Sequence, residues 1–163
     1  MEIIIKTLKN SDSKYIIDIV IPIQQLEFGV PITLADQPDL RDIEGFYFLK
    51  GGSFWGACIE EELCGTIALL RFNATSGAIR KMFVKKEFRG KEYGIASILL
   101  DELINYCREN GIRDLYLGTV DILQAAIRFY EKNGFVRVDK NDLPADFPLM
   151  SADNVFYHLH LKM

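Results

Sequence analysis

The feature that most constrains this chain is a change of hydrophobic period. Residues 54–59, 63–72 and 78–84 are apolar runs of strand length, separated by Glu60-Glu61-Glu62 and by a turn over residues 73–77. From Ile95 the spacing becomes helical. Ile95, Ile98, Leu99, Leu103 and Tyr106 form one face, and Ser97, Asp101, Asn105 and Arg108 the other. A three-stranded antiparallel meander therefore runs through a short basic connection, with Gly90 and Gly94, directly into a helix.

Other elements fit around this junction. Residues 3–8 read as a first strand. Ser11-Asp12 caps a helix marked by Tyr15, Ile16, Ile19, Val20 and Ile23, which Pro22 should kink or divide. Gly29, Pro31, Pro38 and Gly45 make residues 29–45 a loop with at most a short helix, and Gly51-Gly52 breaks the chain. After the long helix, ended by Asn110-Gly111, come a strand over 114–120, a helix over 123–132 ended by Asn133-Gly134, and strands over 135–138 and 156–161. The order β-α-(α)-β-β-β-α-β-α-β-β predicts an α/β fold with a mixed sheet flanked by helices. No repeat or linker divides it, so residues 1–163 are expected to form a single domain.

Composition narrows the function. Lys and Arg total 19 against 23 Asp and Glu, a net charge of −4, which argues against sequence-blind nucleic-acid binding. No apolar run approaches the roughly 18 residues of a membrane span, and the first residues are too soon charged for a signal peptide. A cytoplasmic location is the expectation that remains. Cys58, Cys64 and Cys107 lack metal-ligand spacing and read as reduced packing residues; Cys58 and Cys64 lie symmetrically about Glu61, as if facing across a hairpin. His158 and His160 alternate on one strand face without further ligands, so no metal is expected. Trp55 reads as packing or as part of a substrate pocket.

The junction can carry chemistry. A helix N-terminus offers unpaired N–H groups and partial positive charge, and glycines let backbone approach an anion closely. Lys85, Lys86, Arg89 and Lys91 concentrate cations there. Hydrogen bonds to a charged group are worth about 1.5–3 kcal/mol each, so several would hold a pyrophosphate. Walker and dinucleotide loops do not match, since Gly90-Lys91 is followed by Glu92 and a third spaced glycine is missing. On the residues alone, a solvated basic connection and a phosphate cradle both remain open.

Arg89-Gly90-Lys91-Glu92-Tyr93-Gly94-Ile95-Ala96 resembles the acyl-CoA pyrophosphate loop of the GCN5-related N-acetyltransferases, in which Gln or Arg, two residues, Gly, one residue, then Gly or Ala recur. Glu92 stands where the inner glycine would be. Ala126-Ile127-Arg128-Phe129-Tyr130-Glu131-Lys132-Asn133-Gly134-Phe135 is similar to a second signature of that family, with Leu123 where an asparagine is often found. The resemblance implies an acyl-CoA N-acyltransferase fold with a mostly antiparallel central sheet. It implies that acetyl-CoA is co-substrate, that Met82, Phe83 and Val84 pair with the amide arm of CoA through main chain, that Arg89 to Ala96 hold the pyrophosphate, and that Phe129 lines the site. Tyr130 matches the general acid that stabilises or protonates the departing thiolate.

The implied reaction is direct transfer of an acetyl group to an amine of an unidentified small molecule or peptide. An amine of pKa about 10.4 must first lose a proton, at a cost of about 5 kcal/mol at pH 7. The strand before the loop bears only Arg80 and Lys81 as charges, so the candidate bases are Glu27 and Asp121. The same fold would also serve as a non-catalytic acyl-CoA-binding or sensing module, or as a ligand-free interaction module, and as monomer or homodimer.

Overall fold

A computed structural model describes residues 2–163. Its strands are β1 (Ile4–Thr7), β2 (Ser53–Ile59), β3 (Glu62–Asn73), β4 (Ser76–Val84), β5 (Asp114–Thr119), β6 (Val136–Val138) and β7 (Val155–His160). Its helices are α1 (Ser13–Pro22), α2 (Ile95–Glu109) and α3 (Gln124–Lys132). One sheet contains all the strands in the order β1-β2-β3-β4-β5-β7-β6, antiparallel at every pairing except β4–β5. The expected element order and sheet type are therefore present. No described helix is long and apolar enough to cross a membrane.

The central strands are buried on both faces, and their alternation divides two cores. Ile67 and Leu69 of β3 pack with Leu99, Leu103 and Cys107 of α2. Ala68 and Leu70 point the other way, into a cluster with Ile16 and Val20 of α1 and with Leu40, Ile43 and Tyr47. Trp55 is 4 % exposed and meets Tyr106 edge-to-face at 5.4 Å, so it is a core residue.

Local departures have physical causes. At Pro22, which has no N–H to donate, α1 gives way to a wider helical turn, Ile23–Glu27, in which the Phe28 N–H reaches the Ile23 carbonyl at 3.2 Å. Residues 29–45 contain the expected short helix, a 3-10 turn over Pro38–Arg41, but a further turn, Glu44–Phe48, follows. Asn10 holds it in place, since its side-chain oxygen accepts the Glu44 N–H and the Glu44 carboxylate accepts the Asn10 N–H, both at 3.0 Å. Glu60 and Glu61 take positive φ, 49° and 69°, in the two-residue turn between β2 and β3. A register shift at Ala57/Cys58 puts Cys58 opposite Leu63. Cys58 and Cys64 consequently enter opposite cores instead of facing each other, and all three cysteines are free and buried.

The irregularity that shapes the site lies in β4. Arg80 pairs with Ala68 and Phe83 with Thr66, so Lys81 and Met82 oppose the single residue Ile67. This is a β-bulge, with Lys81 in the left-handed region at φ 52°. The Thr66 hydroxyl donates to the Lys81 carbonyl at 2.7 Å. The buried Lys81 ammonium donates to Gln37 Oε1 at 2.5 Å and lies 3.7 Å from the Asp39 carboxylate, which accepts the Tyr47 hydroxyl at 2.5 Å. Gln37 and Gln24 exchange amide hydrogen bonds at 2.8 and 3.1 Å. This network ties the segment after α1 to the bulge. Beyond it β4 leaves β5, whose ladder runs only from Ser76↔Asp114 to Ala78↔Tyr116.

Lys81→Met should destabilise the fold by about 3–5 kcal/mol, because it leaves the buried Asp39 carboxylate without its cation. Urea unfolding measures this, and a second substitution, Asp39→Asn, should recover part of the loss.

Candidate active site

The divergence of β4 and β5 opens two adjoining cavities. The larger, about 670 Å³, lies between β4, the connection to α2, and α3. The smaller, about 130 Å³, lies where β4 and β5 part, beneath the segments around Phe28 and Pro148–Asp153. Phe28, Met82, Phe83, Leu123, Ala126 and Tyr130 line both, so the two spaces meet at Tyr130.

The larger cavity has the size and apolar character of a cofactor cleft. Its charged lining is entirely basic, comprising Arg89, Lys91, Arg128 and Lys132, although the chain carries a net negative charge. At its end the chain turns with Gly90 at φ 115° and Gly94 at φ 66°, backbone geometry that a side chain would strain. Gly94 is the N-cap of α2, and Ile95, Ala96 and Ser97 of its first turn line this end, where a helix's first N–H groups have no intrahelical partner. Among the expected cofactor residues, Met82, Phe83, Val84, Arg89, Gly90, Lys91, Gly94, Ile95, Ala96 and Phe129 line the cavity. Glu92 and Tyr93 do not; Glu92 faces solvent and Tyr93 packs edge-to-face on Phe88 at 5.6 Å. Lys85 pairs with Glu62 at 3.0 Å, outside the cavity.

Arg128 and Lys132 are two further cations, not among the expected site residues. Their i, i+4 spacing on α3 was the available signal. Arg89 is held on both sides, with Nε donating to the Val84 carbonyl at 2.8 Å and the guanidinium reaching the Glu27 carboxylate at 2.5 and 2.8 Å. Those hydrogen bonds hold the Glu27 carboxyl below its ordinary range. Glu27 is thus a charged partner of Arg89 at the cleft mouth, with both oxygens engaged. Asp121 is exposed and lines neither cavity.

Tyr130 is buried, and its hydroxyl approaches Met82 Sδ at 3.3 Å. Burial, with a smaller contribution from Asp153, raises its pKa well above that of free tyrosine, so the phenol keeps its proton at any physiological pH. In the smaller cavity the charged groups are Arg80, Lys81 and Asp153. Arg80 donates to the Pro148 carbonyl at 2.7 Å. Asp153, on the segment leading into β7, was not among the expected site residues.

His158 and His160 both contact the Asp114 carboxylate at 2.8 Å, across the β5–β7 pair and away from both cavities. Among the described residues no three His, Cys, Asp or Glu side chains are grouped to hold a metal ion.

Residues 18–135 match the model of the Acetyltransferase (GNAT) family. An acetyltransferase of the GNAT family from Staphylococcus aureus Mu50 superposes with a TM-score of 0.95 at 40% identity, covering 99% of this chain and 100% of that one. PaiA N-acetyltransferase from Thermoplasma acidophilum, solved in complex with coenzyme A, shares the fold with a TM-score of 0.78 at 18% identity, over 98% of this chain and 99% of its own. An N-acetylaspartate synthetase from Danio rerio is 35% identical over 106 residues, which are 64% of this chain and 37% of the synthetase, so this chain spans little more than a third of that relative's length. The splayed strands and the glycine-bearing turn at the head of α2 are thus set in a shared framework, and the chain belongs to the GNAT acetyltransferase family.

Proposed function

We propose that this protein is an acyl-CoA-dependent N-acetyltransferase that moves an acetyl group from acetyl-CoA directly to the amine of a small molecule or peptide. The observation that carries this reading is the meeting at Tyr130 of a large, basic-lined cleft and a smaller cavity that holds Arg80, Lys81 and Asp153. Donor and acceptor would enter from opposite sides and meet at one phenol.

The residues present fit acetyl-CoA. Beyond Ala78, β4 has no β5 partner, so the backbone of Met82, Phe83 and Val84 is available to amide groups of the pantetheine arm. The N–H groups of the turn and of the first turn of α2, with Arg89 and Lys91, would take the pyrophosphate. Arg128 and Lys132 add positive potential along α3. When bound, acetyl-CoA supplies an activated acyl carbon and a thiolate leaving group. Tyr130 would donate a hydrogen bond to the departing sulfur. Its raised pKa makes it a stabiliser of the thiolate first and a proton donor second, because full transfer from a phenol to a thiol-type anion is uphill unless the sulfur is desolvated as well.

Direct attack is favoured by where the cysteines lie. None lines either cavity, and burial pushes the Cys107 thiol up to about 12, which leaves it unreactive. Acceptor identity is open to a panel of amines. The N-acetylaspartate synthetase relative and the cation Arg80 in the smaller cavity make L-aspartate a first choice in that panel.

Arg89→Glu should weaken CoA binding at least about tenfold, the equivalent of one lost charge-assisted hydrogen bond. Glu27→Gln, which removes the competing carboxylate, should leave the affinity unchanged or raise it up to about fivefold. Calorimetry on both variants checks this, and equal CoA affinity in wild type and Arg89→Glu would contradict the assignment. Tyr130→Phe should lower kcat about 10²-fold while changing KM for acetyl-CoA little, as read by thiol release. A Tyr130→Phe variant with full kcat across the pH range would remove Tyr130 from its role.

A further inference from the structure

The reaction needs a group that takes a proton from the acceptor ammonium, and Asp153 is the carboxylate that lines a cavity beside Tyr130. Glu27 has both oxygens on Arg89, and Asp121 lies outside both cavities. Asp153 lines the smaller cavity together with Tyr130. Its N–H is fixed to the Met150 carbonyl at 3.1 Å by a turn just before β7. Its side chain lies against Gly118 of β5, where a Cβ would fall 2.5 Å from Asp153 Oδ2 and 3.0 Å from the Phe156 ring. Glycine at 118 therefore makes the space that the carboxylate occupies.

The two faces of the sheet separate the roles. Leu115 and Leu117 point to the α2 side, as does Tyr130, while Tyr116 belongs with the α1 side. By strand alternation Gly118, and the carboxylate over it, face the α1 side. Asp153 and Tyr130 thus approach the β4–β5 gap from opposite faces.

We infer that Asp153 is the general base of the transfer, accepting the proton of the acceptor ammonium on one side of the gap while Tyr130 faces the thioester sulfur on the other. This rests on the transferase reading above. In the step, the ammonium gives one proton to the Asp153 carboxylate, and the freed lone pair forms the N–C bond. The C–S bond breaks with its electron pair left on sulfur. The nitrogen's second proton balances the one that the thiolate gains, by way of Tyr130 or water. The Asp153 carboxylic acid returns its proton to solvent.

The surroundings suit a base. The charged and titratable groups facing Asp153 are Arg80 and Lys81 from β4 and Tyr130 from α3; β5 contributes only Gly118 and Thr119, and the turn after α1 contributes Gln24. Both cations have other partners, Arg80 the Pro148 carbonyl and Lys81 the Gln37–Asp39 pair, so neither fixes the carboxylate in an ion pair. Burial raises Asp153 to about 6, and the two cations temper that rise. It is therefore ionised at pH 7.5, yet basic enough to take a proton.

The test compares wild type with Asp153→Asn, using thiol release with two kinds of probe: L-aspartate and other alkylamines, which are protonated at pH 7.5, and hydroxylamine, which is neutral there, after subtraction of its uncatalysed reaction. The expected result is a fall in kcat of about 10²–10⁴ with alkylamines, a loss at least tenfold smaller with hydroxylamine, and a calorimetric Kd for CoA within about twofold of wild type. The wild-type rate should rise with pH to a break near 6 that the variant lacks. Gly118→Ala, which displaces the carboxylate without removing it, should also lower kcat. Equal losses with both probes, a parallel loss of CoA affinity, or a kcat within threefold of wild type would overturn the inference. Carbon-13 NMR of the Asp153 carboxyl in the CoA complex gives a readout independent of turnover. A midpoint near 6 supports the inference, and one in the ordinary carboxylate range overturns it. CoA binding without thiol release from wild type would contradict the transferase reading instead.

Discussion

The site depends on strands β4 and β5 being neighbours for only three pairs. A parallel pair within a buried sheet would ordinarily continue its ladder, because an unpaired backbone group away from water costs as much as a lost hydrogen bond. Here β4 is turned aside by the bulge at Lys81, with Lys81 at φ 52° and its carbonyl held by Thr66. The strain of a left-handed lysine is offset by a buried network through Gln37, Asp39 and Tyr47. The unpaired edge of β4 is the cost of that arrangement, and it becomes useful if a ligand rich in amides completes the pairing.

The gap also divides the charges. Basic groups line the long cleft, where a diphosphate would lie, and the smaller cavity mixes two tethered cations with one carboxylate. Arg89 links the two regions by binding Glu27 of the turn after α1. The turn after α1 and the loop before α2 are therefore joined by an ion pair, which a pyrophosphate on that loop would compete for.

Much of this was legible in the sequence. The switch from strand to helical spacing at Gly90–Gly94 located the junction, and the element order followed from turn residues and periodicity. Within-element patterns of this sort are local, so they survive in the linear chain. What was not legible depends on long-range pairing. No residue pattern marks Lys81 as the centre of a bulge. The Glu27–Arg89 contact spans 62 positions, and its consequence, that Glu27 is engaged rather than free, appears only when the turn after α1 folds over the loop. Cys58 and Cys64 looked opposed until a one-residue shift placed them on opposite faces. Asp153 lies in a tail with no periodicity, and Gly118, which makes room for it, reads as an ordinary strand glycine.

The opening between β4 and β5 has the lining that an acyl-CoA would need. A crystal structure with CoA bound tests it most directly. The expected result is pantetheine amides paired with the backbone of residues 82–84, the pyrophosphate on the N–H groups at the start of α2, and the sulfur within hydrogen-bonding reach of Tyr130. CoA bound elsewhere, or a β4–β5 gap left without ligand at saturating CoA, would contradict it.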